Sequence, residues 1–302
     1  RKRCQTPRAT PCVVHTASQE GLICETLGMS DRATNDRVTV TISDGIADVR
    51  FNRADKRNAL DGAQFTAIEE AGEQLKTAEG VRVVVLSGEG ESFCAGLDFS
   101  MFSSMAGLSE QPAEPGGNPG ELPAGRITHR GQQICWVWQE LPMPVIAAVH
   151  GHALGGGFQI AMGADIRIAH PDTKWSVREV HWGLVPDMTG TFMLSRLVRS
   201  DVARELTYTA RMVDGREAYD LGLVTRLSEN PYDDAMELAS EIAGRSPGAV
   251  RGSKALFNRM FAEGAADQFA QERRIIGEQI GSPNQIEAIR SNMERRSPNF
   301  VD

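Results

Sequence analysis

The sequence predicts an α/β fold, in which a parallel sheet is backed by helices and followed by a helical C-terminal region. Two observations predict this class. Short apolar runs of strand length alternate with helix-length segments from residue 37 onward, and the chain after Gly190 has a helical pattern. Strands that are separated by helices usually pair in parallel. A chain of 302 residues, 41% of them hydrophobic, is long enough to bury such a core.

The first predicted element is a β-hairpin, with strands at 38–42 and 46–51 around the turn Ser43-Asp44-Gly45. Asp61 is predicted to cap a helix that continues to about Ala78. Apolar runs and helical spacing then alternate as far as residue 190. The predicted elements in that stretch are a strand at 82–87, helices at 98–105 and 127–141, a strand at 145–149, a helix from Gly157 and a strand at 165–169.

The overall charge excludes two classes of partner. The net charge is −8, with 32 basic and 40 acidic residues, which argues against binding to nucleic acid or to a membrane surface.

None of the five cysteines forms a Cys-x-x-Cys pair, which favours a reducing compartment. No apolar run approaches the roughly 20 residues that a membrane span requires. We therefore expect a soluble, cytoplasmic protein.

The N-terminal residues differ from the rest of the chain. The first 28 residues are basic and contain no acidic residue before Glu20. Such a composition is typical of a transit peptide, but Pro7 and Pro11 interrupt any amphipathic helix. We predict that residues 1–36 are a disordered or non-native extension.

Three consecutive glycines, Gly155 to Gly157, lie between the strand at 145–149 and the next helix. Such a turn leaves unpaired N–H groups at a helix N-terminus, where they stabilise an anion. Neither a Gly-x-Gly-x-x-Gly nor a P-loop pattern is present, so an oxyanion hole is the better interpretation. A second glycine turn, at 93–98, also follows a strand, and two such turns could direct two N–H groups at one thioester oxygen. The alternative is that both glycine clusters only allow close packing.

Together with three further segments, these turns resemble the crotonase, or enoyl-CoA hydratase/isomerase, superfamily. The resemblance extends over roughly residues 37–300 and implies a spiral of ββα units that ends in a helical trimerisation segment. It implies an acyl-CoA thioester substrate and assigns the oxyanion donors to the N–H groups of Leu97 and Gly156. The matching segments are Phe51-Asn52-Arg53, Lys56-Arg57-Asn58-Ala59-Leu60, Phe93-Cys94-Ala95-Gly96-Leu97-Asp98, the run from Ala147 to Gly157, and Gly183-Leu184-Val185-Pro186.

The resemblance also implies where coenzyme A binds. Lys56 and Arg57 occupy the loop that contacts the CoA nucleotide in the family, although a solvated pair of charges is the simpler alternative. Arg295 occupies the position of a basic residue that reaches the CoA of a neighbouring subunit. The residues assigned to CoA are Lys56, Arg57, Ala59, Ala95, Asp98 and Arg295.

Three positions distinguish the branches of the family. Hydratases carry Glu at the position of Gln159 and at that of Glu179, and an amide has no titratable proton for base catalysis. Glu179 followed by Asp187 is most similar to the pair found in Δ3,5-Δ2,4-dienoyl-CoA isomerases, which also carry Asp where Gln159 stands. Burial beside Trp175 and Met188 is expected to raise the pKa of these carboxyls. The alternatives are a salt bridge from Glu179 to Arg178 and a turn role for Asp187.

These residues leave three functions open. The preferred one is an enoyl- or dienoyl-CoA isomerase with Glu179 and Asp187 as proton-transfer groups. The second is a 2-enoyl-CoA hydratase in which Gln159 holds the water and Glu179 activates it. The third is a CoA-ester binding protein without activity, for which Gln159 is the argument. No separate cofactor is expected, because coenzyme A is part of the substrate that the resemblance implies. No metal is expected either, because His150, His152 and His181 have no carboxylate or cysteine at ligand spacing.

The organisation predicted from these observations is a core at 37–190 and a helical oligomerisation region at 191–302. The segment from Met105 to Gly125 is rich in proline and glycine, and is interpreted either as a mobile loop over the acyl-chain entrance or as a solvated tether. A homotrimer or a dimer of trimers is expected, because a single spiral core is not expected to cover all the apolar positions of the helical region. Those positions are Ala203, Leu206, Ala218, Leu221 and Met236.

Overall fold

The main sheet has six strands, and all but the first pair are parallel. The computed structural model describes residues 36–105, 122–262 and 264–301. The spatial order of the sheet is β1-β2-β3-β4-β6-β8, and β5 and β7 form a separate two-stranded sheet. The strands are β1 (Val38–Ser43), β2 (Ile46–Phe51), β3 (Val83–Gly88), β4 (Val145–Val149), β5 (His152–Leu154), β6 (Ile166–Ala169), β7 (Lys174–Ser176) and β8 (Arg226–Leu227).

The predicted hairpin is confirmed. β1 and β2 pair antiparallel with Ser43 opposite Ile46. The two residues between the strands, Asp44 and Gly45, have φ angles of 53° and 79°. A two-residue turn of this left-handed kind matches the twist of the strands it joins.

The central strands are apolar along their whole length because both faces of the sheet are covered. On one face, Val83 and Val85 belong to a cluster with alanines of a helix from the C-terminal region, α8 (Pro231–Ala243). On the other face, Val84 and Leu86 belong to the main hydrophobic core. The strands of a parallel sheet that is covered on both faces therefore have continuous apolar sequences rather than alternating apolar and polar residues.

A second, smaller ladder runs beside the sheet. β5 pairs with β7 in parallel, and isolated bridges join Leu60 to Leu97, Cys94 to Ala153 and Trp175 to Val213. Long strands of the main sheet are thus followed by a short extended segment in the second ladder and then by a helix. This arrangement is the predicted repetition of ββα units, and it brings the two glycine turns side by side.

The other regular elements of the described chain are helices. Asp61 caps the first one by accepting a hydrogen bond from the Gln64 N–H at 2.8 Å, as predicted, but the helix ends at Leu75 rather than near Ala78. Single 3-10 turns lie at Ala54–Lys56 and Glu179–Trp182. Besides α8, the helices are α1 (Gly62–Leu75), which Asp61 caps, α2 (Phe99–Met105), α3 (Arg130–Glu140), α4 (Gly156–Met162), α5 (Gly190–Leu197), α6 (Ser200–Thr209), α7 (Gly215–Leu221), α9 (Pro247–Ala262), α10 (Ala265–Gln279) and α11 (Pro283–Glu294).

The sequence predicted a wholly helical C-terminal region, and this prediction is wrong because the region also contains a strand. β8 pairs with β6 and closes one edge of the main sheet. Its two residues are too few to produce a strand pattern, and only pairing with an existing edge makes them extended. Two segments with predictions, 1–35 and 106–121, lie outside the described residues. Among the helices that the structure describes, none is long and apolar enough to span a bilayer.

Candidate active site

One cavity of about 1560 Å³ collects most of the residues predicted to form the site. Its wall comes from the two glycine turns, the 3-10 turn at Glu179–Trp182 and the loop after it, with α2 and α10 at the apolar side. The predicted residues that line it are Lys56, Arg57, Ala59, Ala95, Leu97, Asp98, Gly156, Glu179 and Asp187. Two predicted residues, Gln159 and Arg295, are not part of this wall.

Two residues of the glycine turns that line the cavity have unpaired N–H groups. Within the described residues, the N–H groups of Leu97 and Gly156 donate no hydrogen bond, whereas the neighbouring Asp98 and Gly155 N–H groups bond to Leu60 and Ser176 carbonyls. The turns touch each other, because a Cβ on Gly96 would lie 2.6 Å from the Leu154 carbonyl oxygen. An oxyanion hole needs two free donors, and these two lie on turns that are in contact.

Glu179 opens the 3-10 turn after β7 and is only 8% exposed. Its Oε1 accepts a hydrogen bond from Gln159 Nε2 at 2.6 Å, and its Oε2 has no partner among the described residues. Burial raises the pKa of Glu179 to about 7, against the smaller lowering effects of Gln159 and the Arg178 charge. Arg178 Nη1 donates instead to the Ala210 carbonyl at 3.1 Å, and neither oxygen of Glu179 is bonded to Arg178 or another basic side chain of the described residues, so the salt-bridge alternative is not supported.

Asp187 lies on the loop that follows the 3-10 turn, on the same cavity wall as Glu179. Burial raises its pKa to about 8, and the nearby carboxylates of Glu179 and Glu272 raise it further. Because both pKa values lie near neutrality, the two carboxyls hold fewer than two negative charges at pH 7. One of them can accept a proton while the other donates one.

Gln159, which holds the water in the hydratase alternative, does not line the cavity. The structure places it on α4 behind Glu179, fully buried and away from the cavity wall. Its Oε1 accepts from the N–H groups of Met188 at 3.0 Å and Gly190 at 2.8 Å, while its Nε2 donates to Glu179. These contacts occupy both ends of the Gln159 amide and link the Glu179 carboxylate to the loop that carries Asp187.

A third buried carboxylate, Glu272 on α10, was not predicted. It accepts hydrogen bonds from Gln132 Nε2 at 2.9 Å, the Thr189 N–H at 3.1 Å and Thr191 Oγ1 at 2.8 Å. Burial raises its pKa, and it contributes to the raised pKa of Asp187. No sequence motif marks Glu272, because its role depends on how α10 folds back over the loop after Pro186.

His129 was also missed, and it lines the cavity. It is 4% exposed and precedes α3, where its Nδ1 accepts a hydrogen bond from the Gly131 N–H at 2.9 Å. Burial lowers its pKa to about 4, and the Arg273 charge lowers it further. The imidazole is therefore neutral near pH 7. His129 falls inside the helix predicted at 127–141, so no pattern in the sequence marked it as a cavity residue.

The predicted CoA residues divide into two groups. Lys56, Arg57, Ala59, Ala95 and Asp98 line the cavity, and Asp98 is held there by Arg53 at 2.7 Å. Arg53 also lines the cavity and was not predicted to do so. Arg295 lies exposed at the C-terminal end of α11, outside the cavity wall of this single chain. Its predicted contact with a neighbouring subunit's CoA stays a prediction.

His150, His152 and His181, which the sequence analysis considered as metal ligands, are not grouped with further metal-binding side chains in the described residues. Ser92 Oγ lies 2.9 Å from His152 Nδ1, and the Gly90 carbonyl lies 2.9 Å from His150 Nε2. Across residues 36–105, 122–262 and 264–301, no group of three or more His, Cys, Asp and Glu side chains is arranged to hold a metal ion.

Comparison with known proteins gives a consistent family. A family profile described as enoyl-CoA hydratase/isomerase matches residues 41–302. The chain is 34% identical over 254 residues to a short-chain-enoyl-CoA hydratase of Clostridium acetobutylicum, covering 83% of this chain and 92% of the relative. It is 32% identical over 257 residues to a peroxisomal Δ(3,5)-Δ(2,4)-dienoyl-CoA isomerase of Arabidopsis thaliana, covering 83% and 91%.

Solved structures agree with the fold. A crystal structure of an enoyl-CoA hydratase/isomerase from Pseudoalteromonas atlantica superposes with a TM-score of 0.77 at 26% identity, covering 88% of this chain and 100% of that one. The α/β spiral with C-terminal helices is thus the crotonase fold. The chain belongs to the enoyl-CoA hydratase/isomerase family, and it is an enzyme of that family.

Proposed function

We propose that this enzyme is an enoyl- or dienoyl-CoA isomerase in which Glu179 and Asp187 transfer the proton. The observation that carries the proposal is the pair itself: two carboxyls on one cavity wall, with pKa values raised to about 7 and about 8. An isomerase needs one ionised and one protonated group at the same pH, and raised, closely spaced pKa values supply both.

The thioester carbonyl would lie at the N–H groups of Leu97 and Gly156. One carboxylate removes a proton from C2, and the electron pair of the broken C–H bond delocalises onto the thioester oxygen as an enolate conjugated with the double bond. The other carboxylic acid then protonates the far end of the conjugated system, which is C4 of a 3-enoyl chain or C6 of a 3,5-dienoyl chain. The proton removed balances the proton returned, and no water enters the product.

The neighbourhood of Glu179 supports isomerisation over hydration. A hydratase of this family orients its water with two carboxylates, whereas here the second position is Gln159, whose oxygen is already bonded to two backbone N–H groups. Hydration nevertheless has one observation in its favour. Glu179 lines the cavity and its pKa is raised to about 7, so its carboxylate could accept a proton from a cavity water.

A turnover panel tests the proposal. The purified protein is assayed with a 3-enoyl-CoA, a 3,5-dienoyl-CoA and a 2-enoyl-CoA of equal chain length, and products are separated by chromatography. We expect isomerisation, lowered about 10²–10⁴-fold in Glu179→Gln and in Asp187→Asn. The matched control is Asp220→Asn, an exposed carboxylate on α7. Rapid hydration that persists in Asp187→Asn would assign the enzyme to hydratases, and binding without turnover would make it a CoA-ester binding protein.

We also propose that the enzyme assembles as a homotrimer or a dimer of trimers. Of the five apolar positions expected to be uncovered, Leu206 and Ala218 are buried within the single chain. Ala203, Leu221 and Met236 are half-buried against its hydrophobic clusters, so these positions give little support to an interface. The support comes instead from α9, where Leu256, Phe257 and Met260 are between 63% and 75% exposed on the same helix. A stable monomer at micromolar concentration in light scattering would contradict this assembly.

A further inference from the structure

The loop that leads into α5 is held by two buried side chains from different helices. Gln159 on α4 accepts hydrogen bonds from the N–H groups of Met188 and Gly190. Glu272 on α10 accepts a hydrogen bond from the N–H between them, that of Thr189, at 3.1 Å. Three successive backbone N–H groups are thus bonded to side-chain oxygens. Because a buried N–H without a partner is unfavourable, each of these bonds helps to fix the path of the loop.

Thr189 has a conformation that its surroundings must maintain. Its φ of 70° and ψ of 4° lie in the left-handed region, which a β-branched residue rarely adopts. Such a conformation persists only where neighbouring contacts determine it. The residue is fully buried, and its N–H is bonded to the Glu272 carboxylate. Without this bond, we expect the backbone at Thr189 to relax and Asp187, two residues earlier, to move.

The contacts of Glu272 indicate an ionised carboxylate. Its Oε2 accepts from Gln132 Nε2 at 2.9 Å as well as from the Thr189 N–H, and its Oε1 accepts from Thr191 Oγ1 at 2.8 Å. All three partners donate, which suits a carboxylate rather than a carboxylic acid. Arg273, the next residue of α10, donates to Gln132 Oε1 at 3.0 Å and to a backbone carbonyl. The charge of Glu272 is therefore held by neutral donors.

This charge acts on the proton-transfer pair. It raises the pKa of Asp187 and that of Glu179, in each case in addition to the larger effect of burial. The Arg273 charge lowers the pKa of Glu272. Burial lowers the pKa of the imidazole at the start of α3 to about 4 and raises that of the thiol within α3, so both groups are neutral at pH 7. These two groups are His129 and Cys135.

From these contacts we infer that Glu272 is a positioning residue for the proton donor: its carboxylate holds Thr189 in place and so fixes Asp187 at the cavity wall, and its charge favours the protonated form of Asp187. Glu272 is not among the described residues that line the cavity, so it acts through Asp187 and not on the substrate. Ile276 and Ile280, one and two turns further along the same face of α10, belong to the cavity wall. The inference rests on the proposed function, in which Asp187 transfers a proton.

Glu272→Gln separates the charge of this side chain from its hydrogen bonds. The amide oxygen can take the place of Oε2 and keep both N–H donors, and the amide nitrogen can donate to the Thr191 hydroxyl. We expect most of kcat/KM to be kept at the new optimum. Both limbs of the pH profile should move to lower pH, the alkaline limb by about one pH unit, because loss of a nearby negative charge lowers the pKa of Asp187.

The matched control is Glu278→Gln, the same change at an exposed position of α10. It should leave the pH profile of kcat/KM unchanged. A carboxylate that only stabilises the fold would lower Tm in Glu272→Gln and leave the profile in place, and that result overturns the inference.

Glu272→Ala removes the hydrogen bonds as well as the charge. The Thr189 N–H is then buried without a partner, and a displacement of about 1 Å at a reacting group can cost about 10²-fold in rate. We expect kcat to fall by that order, while KM and the dissociation constant of octanoyl-CoA stay unchanged. A higher KM with an unchanged kcat would assign Glu272 to substrate binding and overturn the inference. If Glu272→Ala does not fold, the pH profile of Glu272→Gln provides the test.

Thermal unfolding distinguishes failure of the proposed function from failure of this inference. Tm at pH 9 is measured for the unmodified protein, Asp187→Asn, Glu272→Gln and the double variant. We expect Asp187→Asn to raise Tm less in the Glu272→Gln background, because the repulsion that it relieves is already reduced. Additive changes overturn the inference. If the coupling is present in a protein without isomerisation, the assignment of the reaction alone fails. Isomerisation that persists in full in Asp187→Asn means that Asp187 is not the proton donor, and both are then wrong.

Discussion

Gln159 Nε2 lies 2.6 Å from Glu179 Oε1, and the other end of the same amide is bonded to the N–H groups of Met188 and Gly190. One side chain thus ties the carboxylate of Glu179 to the loop that carries Asp187. Because an amide cannot rotate without breaking these three bonds, the orientation of Glu179 and the position of that loop are coupled.

This coupling predicts the effect of Gln159→Glu. The change replaces the donor beside Glu179 with a second carboxylate, and two carboxylates this close share one proton. The pair then holds its proton to higher pH, so we expect isomerisation at pH 7 to fall and the acidic limb of kcat/KM to move to higher pH. Hydration of a 2-enoyl-CoA should not rise, because residue 159 does not line the cavity.

The matched control is Gln271→Glu, which adds the same charge at an exposed position of α10. We expect it to leave the pH profile unchanged. An increase in hydration in Gln159→Glu would show that residue 159 reaches bound water, and it would contradict the positioning role.

The pH dependence of the unmodified enzyme is a second prediction. Isomerisation requires one ionised and one protonated carboxyl, and the two pKa values are raised to about 7 and about 8. Below about pH 7 both groups become protonated and the base is lost, and above about pH 8 both ionise and the acid is lost. We expect a bell-shaped profile of kcat/KM with its optimum between these values.

The measurement is kcat/KM for a 3-enoyl-CoA from pH 5 to pH 10 at constant ionic strength. Asp187→Asn should remove the alkaline limb from the residual activity, since the remaining carboxyl is Glu179. A profile that is flat from pH 6 to pH 9 would show that these carboxyls do not control the rate.

The sequence predicted the sheet and the glycine turns well because both depend on local patterns. Apolar runs such as β3 and β4 and the φ-permissive glycines of the turns specify structure within a few residues. The family resemblance further assigned Glu179 and Asp187, which the structure places on one cavity wall.

The sequence failed where the contacts are long-range. The position of Gln159 in the motif is the same whether the enzyme is an isomerase or a hydratase. Only the structure shows that its side-chain oxygen is occupied, by the N–H groups of Met188 and Gly190. Glu272 and His129 enter the site from distant elements, at sequence separations that no local pattern encodes. The pairing of β8 with β6 has the same origin.

The raised pKa of Asp187 also predicts a stability change. Its folded pKa of about 8 lies above the ordinary value of 3.8, so between these pH values the folded state binds more protons than the unfolded state. The free energy of unfolding therefore falls as pH rises through this range. Asp187→Asn removes the ionisation, and we expect it to raise Tm more at pH 9 than at pH 5, by on the order of 3 °C.

Thermal unfolding of both proteins at the two pH values provides the measurement. Asp220→Asn is the control, because this carboxylate is exposed on α7 and should show no such difference between pH 5 and pH 9. If Asp187→Asn gave the same Tm change at both pH values, its carboxyl would have to be ionised in the folded protein throughout.

The last prediction concerns the turn at Gly156. A Cβ at this position would lie 2.6 Å from Leu60 Cδ1 and 3.2 Å from Met188 Sδ, so an alanine requires either these two cavity-lining side chains or the turn with its N–H to shift. Losing one oxyanion donor typically lowers kcat by about 10²–10³-fold. We expect a loss of this size in Gly156→Ala for every thioester that the enzyme converts.

Gly252→Ala provides the same substitution in a different setting. Gly252 lies within α9 and its Cβ would meet nothing within 4 Å, so alanine is expected to favour the helix by about 0.5–1 kcal/mol and to leave turnover unchanged. Comparing kcat and Tm of the two variants separates catalysis from stability. A Gly156→Ala enzyme that is folded and as active as Gly252→Ala would mean that the turn serves packing, and that the thioester oxygen is stabilised elsewhere.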